Sequence, residues 1–225
     1  MSKTWKIDKQ FNFCYGHRVW SQKLEAEYCE KKDVSCKCRF LHGHEGLVHV
    51  FLESECLERG MVTDFKHLGW LKDFLDDTID HKFILDMNDP YFGQIINGKI
   101  GGQIRHYQGI PTGGLSTVER LVLPSTNGVV KQLPLLPITV PGVDYILGYK
   151  VDVYASTTVK GDTFLEGPEK EFYEGFVIVD FIPTSENLCE WLYDVASSKM
   201  SRLGIKVSQV DWHETAKSRS SIFAS

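Results

Sequence analysis

The amino-acid sequence predicts an α+β fold, on three observations. The segment FNFCYGHRV alternates with period two, Leu188, Trp191, Leu192 and Val195 repeat with helical spacing, and strand-like runs fill much of the middle. Hydrophobic residues make up 42% of the 225 and charged residues 24%, enough apolar material for a substantial core in one domain. We therefore expect a single unit over residues 1–225, with a strand-rich segment at about 88–180 inserted between two helices.

The first strand carries Phe11, Phe13 and Tyr15 on one parity, and His17 joins that face if the strand runs so far. A second strand is expected over HGHEGLVHVFLESE, covered on both faces for part of its length. Its His42 and His44 share one face, and Gly43 between them permits close backbone approach. Asp64 can cap a first helix through Phe65, Leu68 and Leu75. Thr184 or Ser185 can cap the second, with Glu186 in its dipole-favoured first turn. Between the helices, glycine-rich turns alternate with apolar runs. Prolines at 134, 137 and 141 argue there against an uninterrupted central strand.

Chemistry concentrates at few positions. His17, His42 and His44 offer three imidazoles from two neighbouring strands, with the Cys38 thiol close by in sequence. A three-histidine set suits Zn2+ and leaves a fourth position for water or substrate, whereas structural zinc is usually closed by four protein ligands. His17 alone would read as an ordinary core histidine; the His-Gly-His pair changes its meaning. Cys29, Cys36 and Cys38 offer a competing, sulfur-rich structural site, while Cys14, Cys56 and Cys189 read as small core residues. Asp80-His81 pairs a carboxylate with an imidazole able to move a proton near neutral pH, although a helix end with a surface histidine has the same appearance. Glu214 in WHET can accept paired N–H donors from a guanidine-like heterocycle, or stand as a solvated charge.

A net charge of −5 argues against a nucleic-acid surface, and no apolar run approaches the length that crosses a bilayer. The polar start MSKTWKIDKQ lacks the pattern of a signal segment, so free thiols and a cytoplasmic location are expected.

These motifs together resemble the superfamily of 6-pyruvoyltetrahydropterin and 6-carboxytetrahydropterin synthases. The likeness rests on FNFCYGHRV, Cys38 to His44, GMVTDF at 60–65, IDHKFILD at 79–86, PTSENLCEWL at 183–192 and WHET at 212–215. It covers about residues 5–86 and 181–218. The resemblance implies a tunnelling fold (T-fold), an antiparallel sheet with two helices packed on it, whose copies close into a barrel with sites near subunit boundaries. It further implies Zn2+ on His17, His42 and His44, Cys38 as catalytic cysteine, Asp80 and His81 as its proton-transfer partners, and Glu214 as pterin anchor. The three-residue spacer from Cys38 to His42 resembles the carboxy-forming branch. That implies conversion of 7,8-dihydroneopterin triphosphate to 6-carboxytetrahydropterin, acetaldehyde and triphosphate, on the way to queuosine and other 7-deazaguanines. A homo-oligomer, tetramer or hexamer, is implied as well. The pyruvoyl-forming activity and a non-catalytic zinc- or pterin-binding oligomer are the alternatives. Lys82, Arg105 and Lys160 are candidate triphosphate contacts that also read as solvated charges.

Overall fold

The computed structural model describes residues 3–24, 36–97, 120–124, 130–154 and 165–224. Its frame is a nine-stranded sheet. The strands are β1 (Trp5–His17), β2 (His42–Ser54), β3 (Lys82–Asp86), β4 (Arg120–Pro124), β5 (Val130–Ile138), β6 (Gly148–Val151), β7 (Phe176–Val179), β8 (Lys206–Thr215) and β9 (Ser218–Phe223), in the spatial order β4-β5-β6-β7-β3-β1-β2-β8-β9. The helices are α1 (Gly69–Thr78), α2 (Phe92–Asn97), α3 (Pro168–Glu174) and α4 (Ser185–Ser201).

Alternation along β1 and β2 produces the main core. Phe11, Phe13 and Tyr15 of β1, and Val48, Val50 and Leu52 of β2, are buried against Leu71 and Leu75 of α1 and Leu188, Leu192 and Val195 of α4. The other parity is more open: Leu47, His49 and Phe51 are half-buried, so β2 is fully covered on one face only. Antiparallel pairing puts His17 directly opposite His42 and Tyr15 opposite His44.

Both expected caps form. The Asp64 carboxylate accepts the Lys66 N–H at 2.8 Å, opening a 3-10 turn over Phe65–Leu68 that runs into α1. The Thr184 hydroxyl accepts the Asn187 N–H at 3.2 Å and starts α4.

The inserted segment extends the sheet. β3 runs parallel to β1, and β7 parallel to β3, so the sheet is mixed where the resemblance implied an antiparallel one. Successive residues of β7 face two cores: Val177 and Val179 join the main cluster, while Phe176 and Ile178 join a second one with Leu85, Phe92, Leu133 and Tyr149. The prolines do not keep β5 out of the sheet interior. β4 pairs with residues 130–134 and β6 with 135–138, so the ladder on each side of β5 is interrupted: Pro137 faces β6 alone, and Pro134 stands at the changeover, opposite Arg120 with its carbonyl accepting the Asp152 N–H at 2.8 Å.

Gly46 is enclosed by its neighbours, and a Cβ there would stand 2.6 Å from the Phe13 ring. Gly46→Val is expected to destabilise the protein by about 1–3 kcal/mol through overpacking, read as a lowered urea midpoint with an unchanged m-value.

Candidate metal centre and its cavity

At the paired ends of β1 and β2 the three imidazoles meet. His17 Nε2 lies 3.1 Å from His42 Nε2 and 3.1 Å from His44 Nε2. The far side of two rings is already committed: His17 Nδ1 faces the Pro183 carbonyl at 2.5 Å, and His42 Nδ1 faces the Phe40 carbonyl at 2.8 Å. A carbonyl can only accept, so in their neutral forms both rings carry the proton on Nδ1 and turn an Nε2 lone pair inward. Converging lone pairs repel unless a cation or proton lies between them. Ligands on a tetrahedral ion at about 2.0–2.1 Å stand roughly 3.3 Å apart, close to the spacing observed, so these residues fit a metal of the zinc class.

Burial favours the neutral form of two of these rings, His17 and His44. His17 is fully buried, and its pKa falls to about 4, chiefly from desolvation, with His42 and His44 adding to the fall and the Pro183 carbonyl opposing it. His44 is lowered too, by burial and by His42. Gly43 fits the reading of close approach: a Cβ there would lie 3.1 Å from the Tyr15 carbonyl oxygen on β1. The Tyr15 ring packs against His17 and His44 and its hydroxyl accepts the Trp212 indole N–H at 3.0 Å.

Glu214 joins the cluster from β8, with its Oε1 3.7 Å from His17 Nε2. Its pKa is raised, first by burial and then by Glu186, while His42 works in the opposite direction.

Cys38 sits in a short 3-10 turn, Lys37–Arg39, pinned from β1 and the residues after it. The Val19 N–H donates to the Cys38 carbonyl at 2.9 Å, and the Arg18 side chain donates to the Arg39 carbonyl at 2.7 Å. The thiol pKa is raised to about 11, by burial first, then Cys36 and Glu214, so at neutral pH it is protonated.

Asp80 and His81 sit between α1 and β3. The carboxylate accepts the Cys14 N–H at 2.7 Å and meets His81 Nδ1 at 2.9 Å; these two contacts, the backbone bond first, hold its pKa below the usual range. His81 has a left-handed backbone, φ 58°, uncommon for a non-glycine residue, and its side chain is 79% exposed. The pair therefore holds on to Cys14 rather than Cys38, and Cys38 answers to Cys36 and Glu214. A cavity of about 640 Å³ nevertheless brings His81 together with His42 and His44, with Lys82, Phe172 and Phe176 also in its wall. The last two come from the inserted segment.

A family model described as 6-pyruvoyl tetrahydropterin synthase matches residues 6–224. The chain belongs to that family. Its fold class is accordingly the α+β tunnelling fold. A relative from Aquifex aeolicus named 6-carboxy-5,6,7,8-tetrahydropterin synthase is 42% identical over 96 residues, 40% of this chain and 59% of that protein. One of the same name from Rickettsia felis is 30% identical over 48% of this chain and 70% of its own length. The match to the Aquifex protein thus spans less than two thirds of its length. Among solved structures, an uncharacterized protein from Wolinella succinogenes is similar over all of both chains, with 36% identity and a TM-score of 0.71.

Within this family member, some sequence expectations need correction. Cys14 and Cys56 are exposed rather than core residues; only Cys189 of that trio is buried, with its thiol against the Val210 carbonyl. Cys29, Arg105 and Lys160 lie outside the described residues. Lys82 does reach the cavity, where its Nζ donates to the Glu174 carbonyl at 3.1 Å. Sequence reasoning missed the support beneath Cys38: Arg18, nearly buried, pairs with the buried Asp89 at 3.2 Å. The signal was an arginine directly after His17, at the end of an apolar strand where a charge needs a partner.

Two outcomes are expected. Folding favours neutral His17, so the unfolded chain binds more protons between its ordinary pKa near 6.5 and about 4. Stability of the metal-free protein is full above that window and falls as pH drops through it, by about 2–3 kcal/mol at pH 4.5 from a shift of that size; urea titrations at pH 7 and 4.5 with His17→Asn, which lacks this dependence, measure it. Asp89→Ala leaves the Arg18 guanidinium buried and unpaired, and a loss of about 3 kcal/mol is expected by the same method.

Proposed function

We propose that the protein is a zinc-dependent 6-carboxy-5,6,7,8-tetrahydropterin synthase, converting 7,8-dihydroneopterin triphosphate and water to 6-carboxytetrahydropterin, acetaldehyde and triphosphate. The observation that carries this reading is the convergence of three Nε2 atoms, 3.1 Å from His17 to each of its partners, two of which, His42 and His44, belong to residues that line a cavity with His81. The names of the Aquifex and Rickettsia relatives support the carboxy-forming product. On this reading residues 1–225 form one catalytic domain, with about 88–180 as a strand-rich insertion, working in the cytoplasm on the route to queuosine and other 7-deazaguanines.

His17, His42 and His44 would hold Zn2+, which supplies a Lewis acid for the hydroxyl oxygens of the substrate side chain. The remaining chemistry belongs to the chain's own residues. Glu214, half-buried beside the histidines, accepts N–H groups of the pterin edge and fixes the ring's orientation. Asp80 stays ionised and binds His81 at Nδ1, which leaves His81 Nε2 to take and return a side-chain proton. Cys38, protonated at rest, is the second proton carrier. Lys82 places one positive charge at the cavity for the triphosphate. The exposure of His81, which is bonded with Asp80 beside Cys14 rather than Cys38, suits a site completed at a subunit boundary in a homo-oligomer, tetramer or hexamer.

Incubation of Zn2+-loaded protein with 7,8-dihydroneopterin triphosphate, read by mass spectrometry, is expected to yield 6-carboxytetrahydropterin and acetaldehyde. Cys38→Ala and His81→Ala are each expected to slow it by about 100-fold or more, the scale of lost proton-transfer catalysis. A product retaining all three side-chain carbons would move the protein to the pyruvoyl-forming activity. Stoichiometric zinc with no turnover would make it a binding protein.

A further inference from the structure

On the opposite face of the sheet from the histidine centre, β2 and β8 assemble a second group of metal-binding side chains. His49 stands directly across from Asp211, and His213 across from Leu47, two residues along. All three therefore project from one face, alternating with Val48 and Val50 on β2 and with Val210 and Trp212 on β8, which are buried on the other. The two imidazole rings lie 5.2 Å apart at an interplanar angle of 42°. One ligand atom from each of His49, Asp211 and His213 lies within 4.8 Å of the others.

What sets this group apart is its unfinished bonding. The Nε2 atoms of both His49 and His213 are buried, and among the described residues neither has a hydrogen-bond partner. Buried polar atoms are almost always paired, so two such nitrogens on neighbouring strands ask for a shared partner. Asp211 is 1% exposed, and its Oδ1 accepts the Gln209 amide at 2.6 Å while its Oδ2 lies 3.5 Å from the Arg219 guanidinium. Gln209 thus orients the carboxylate, as groups behind a metal ligand commonly do.

We propose that His49, Asp211 and His213 bind a divalent transition-metal ion, Zn2+ or Co2+ in class, that clips β2 to β8 on the open face of the sheet. Two imidazoles and one carboxylate are a donor set for these borderline ions rather than for Mg2+ or Ca2+, which prefer oxygen alone. Ligands on one ion stand closer than 4.8 Å, so modest side-chain rotation accompanies binding. The Arg219 charge beside Asp211 opposes the ion, which makes this the weaker of the protein's two sites. The site is independent of the proposed reaction, because its residues lie on the far face from His17, His42 and His44.

The test is titration of metal-free protein with Co2+, following the visible absorption bands and the bound metal by equilibrium dialysis. Two equivalents per chain are expected in the unaltered protein, and one in each of His42→Gln/His44→Gln and His49→Gln/His213→Gln, with circular dichroism confirming the fold. Arg219→Ala, which leaves every ligand in place, is expected to bind the weaker equivalent several-fold more tightly. A single equivalent in the unaltered protein, or none in His42→Gln/His44→Gln, overturns the proposal. So does a second equivalent indifferent both to Arg219→Ala and to His49→Gln/His213→Gln.

Discussion

The hydrogen bond between His17 and the Pro183 carbonyl ties the chemistry of this protein to its fold. It joins the last residue of β1 to the approach of α4, 166 positions later, and does so inside the core. One bond fixes three things: which nitrogen of His17 carries the proton, where its other nitrogen points, and where the helix begins. Thr184, the next residue, caps α4, so the carbonyl that orients the ligand and the hydroxyl that starts the helix are neighbours. A shift of α4 along the sheet would therefore misplace the histidine centre. Desolvation reinforces the arrangement by keeping His17 neutral, the only state in which an imidazole nitrogen can ligate a metal.

Much of this was legible in the amino-acid sequence. The parity of Phe11, Phe13, Tyr15 and His17 places the first histidine on the buried face, and the two-residue spacing of His42 and His44 places the other two on one face of the neighbouring strand. Period-two geometry alone carries that inference, because β-strand side chains alternate without exception in these stretches. The capping residues were legible for the same local reason. Long-range consequences were not. Nothing local to Arg18 names Asp89 as its partner, and nothing local to His49 shows that Asp211 will stand across from it; both depend on strand order and register. The prolines of β5 argued rightly against an uninterrupted central strand, but which residues pair on which side depends on register, and residue type does not record this.

The inserted segment changes more than the width of the sheet. By pairing in parallel with β3, β7 covers an edge that β3 would otherwise expose beside the centre. It is buried on both sides, which explains its uninterrupted apolar run, Phe176 to Val179. The turn from α3 into β7 then puts Phe172 and Phe176 against the cavity that His42, His44 and His81 line. Two aromatic rings there present flat apolar surface next to ionisable groups, and Lys82 adds a cation held by the Glu174 carbonyl of the same turn. A planar heterocycle with an anionic tail, as in the proposed substrate, matches both features, and on that reading the insertion would contribute to recognition as well as to architecture.

The state of Cys38 follows from where its neighbours are. Burial, Cys36 and the Glu214 carboxylate all favour the thiol over the thiolate, while Asp80 and His81 bond to the backbone of Cys14 instead. The loop that carries it is nonetheless held firmly, through Val19, Arg18 and, behind Arg18, the buried Asp89. A thiol fixed in place but kept protonated is suited to giving up its proton only when positive charge arrives nearby, from a metal at the histidines or from a protonated imidazole. The negative Glu214 carboxylate works against that release, because a charge of the same sign beside the sulfur disfavours the thiolate. On the proposed reading the group that would orient the substrate is therefore also one of the groups that hold the cysteine protonated.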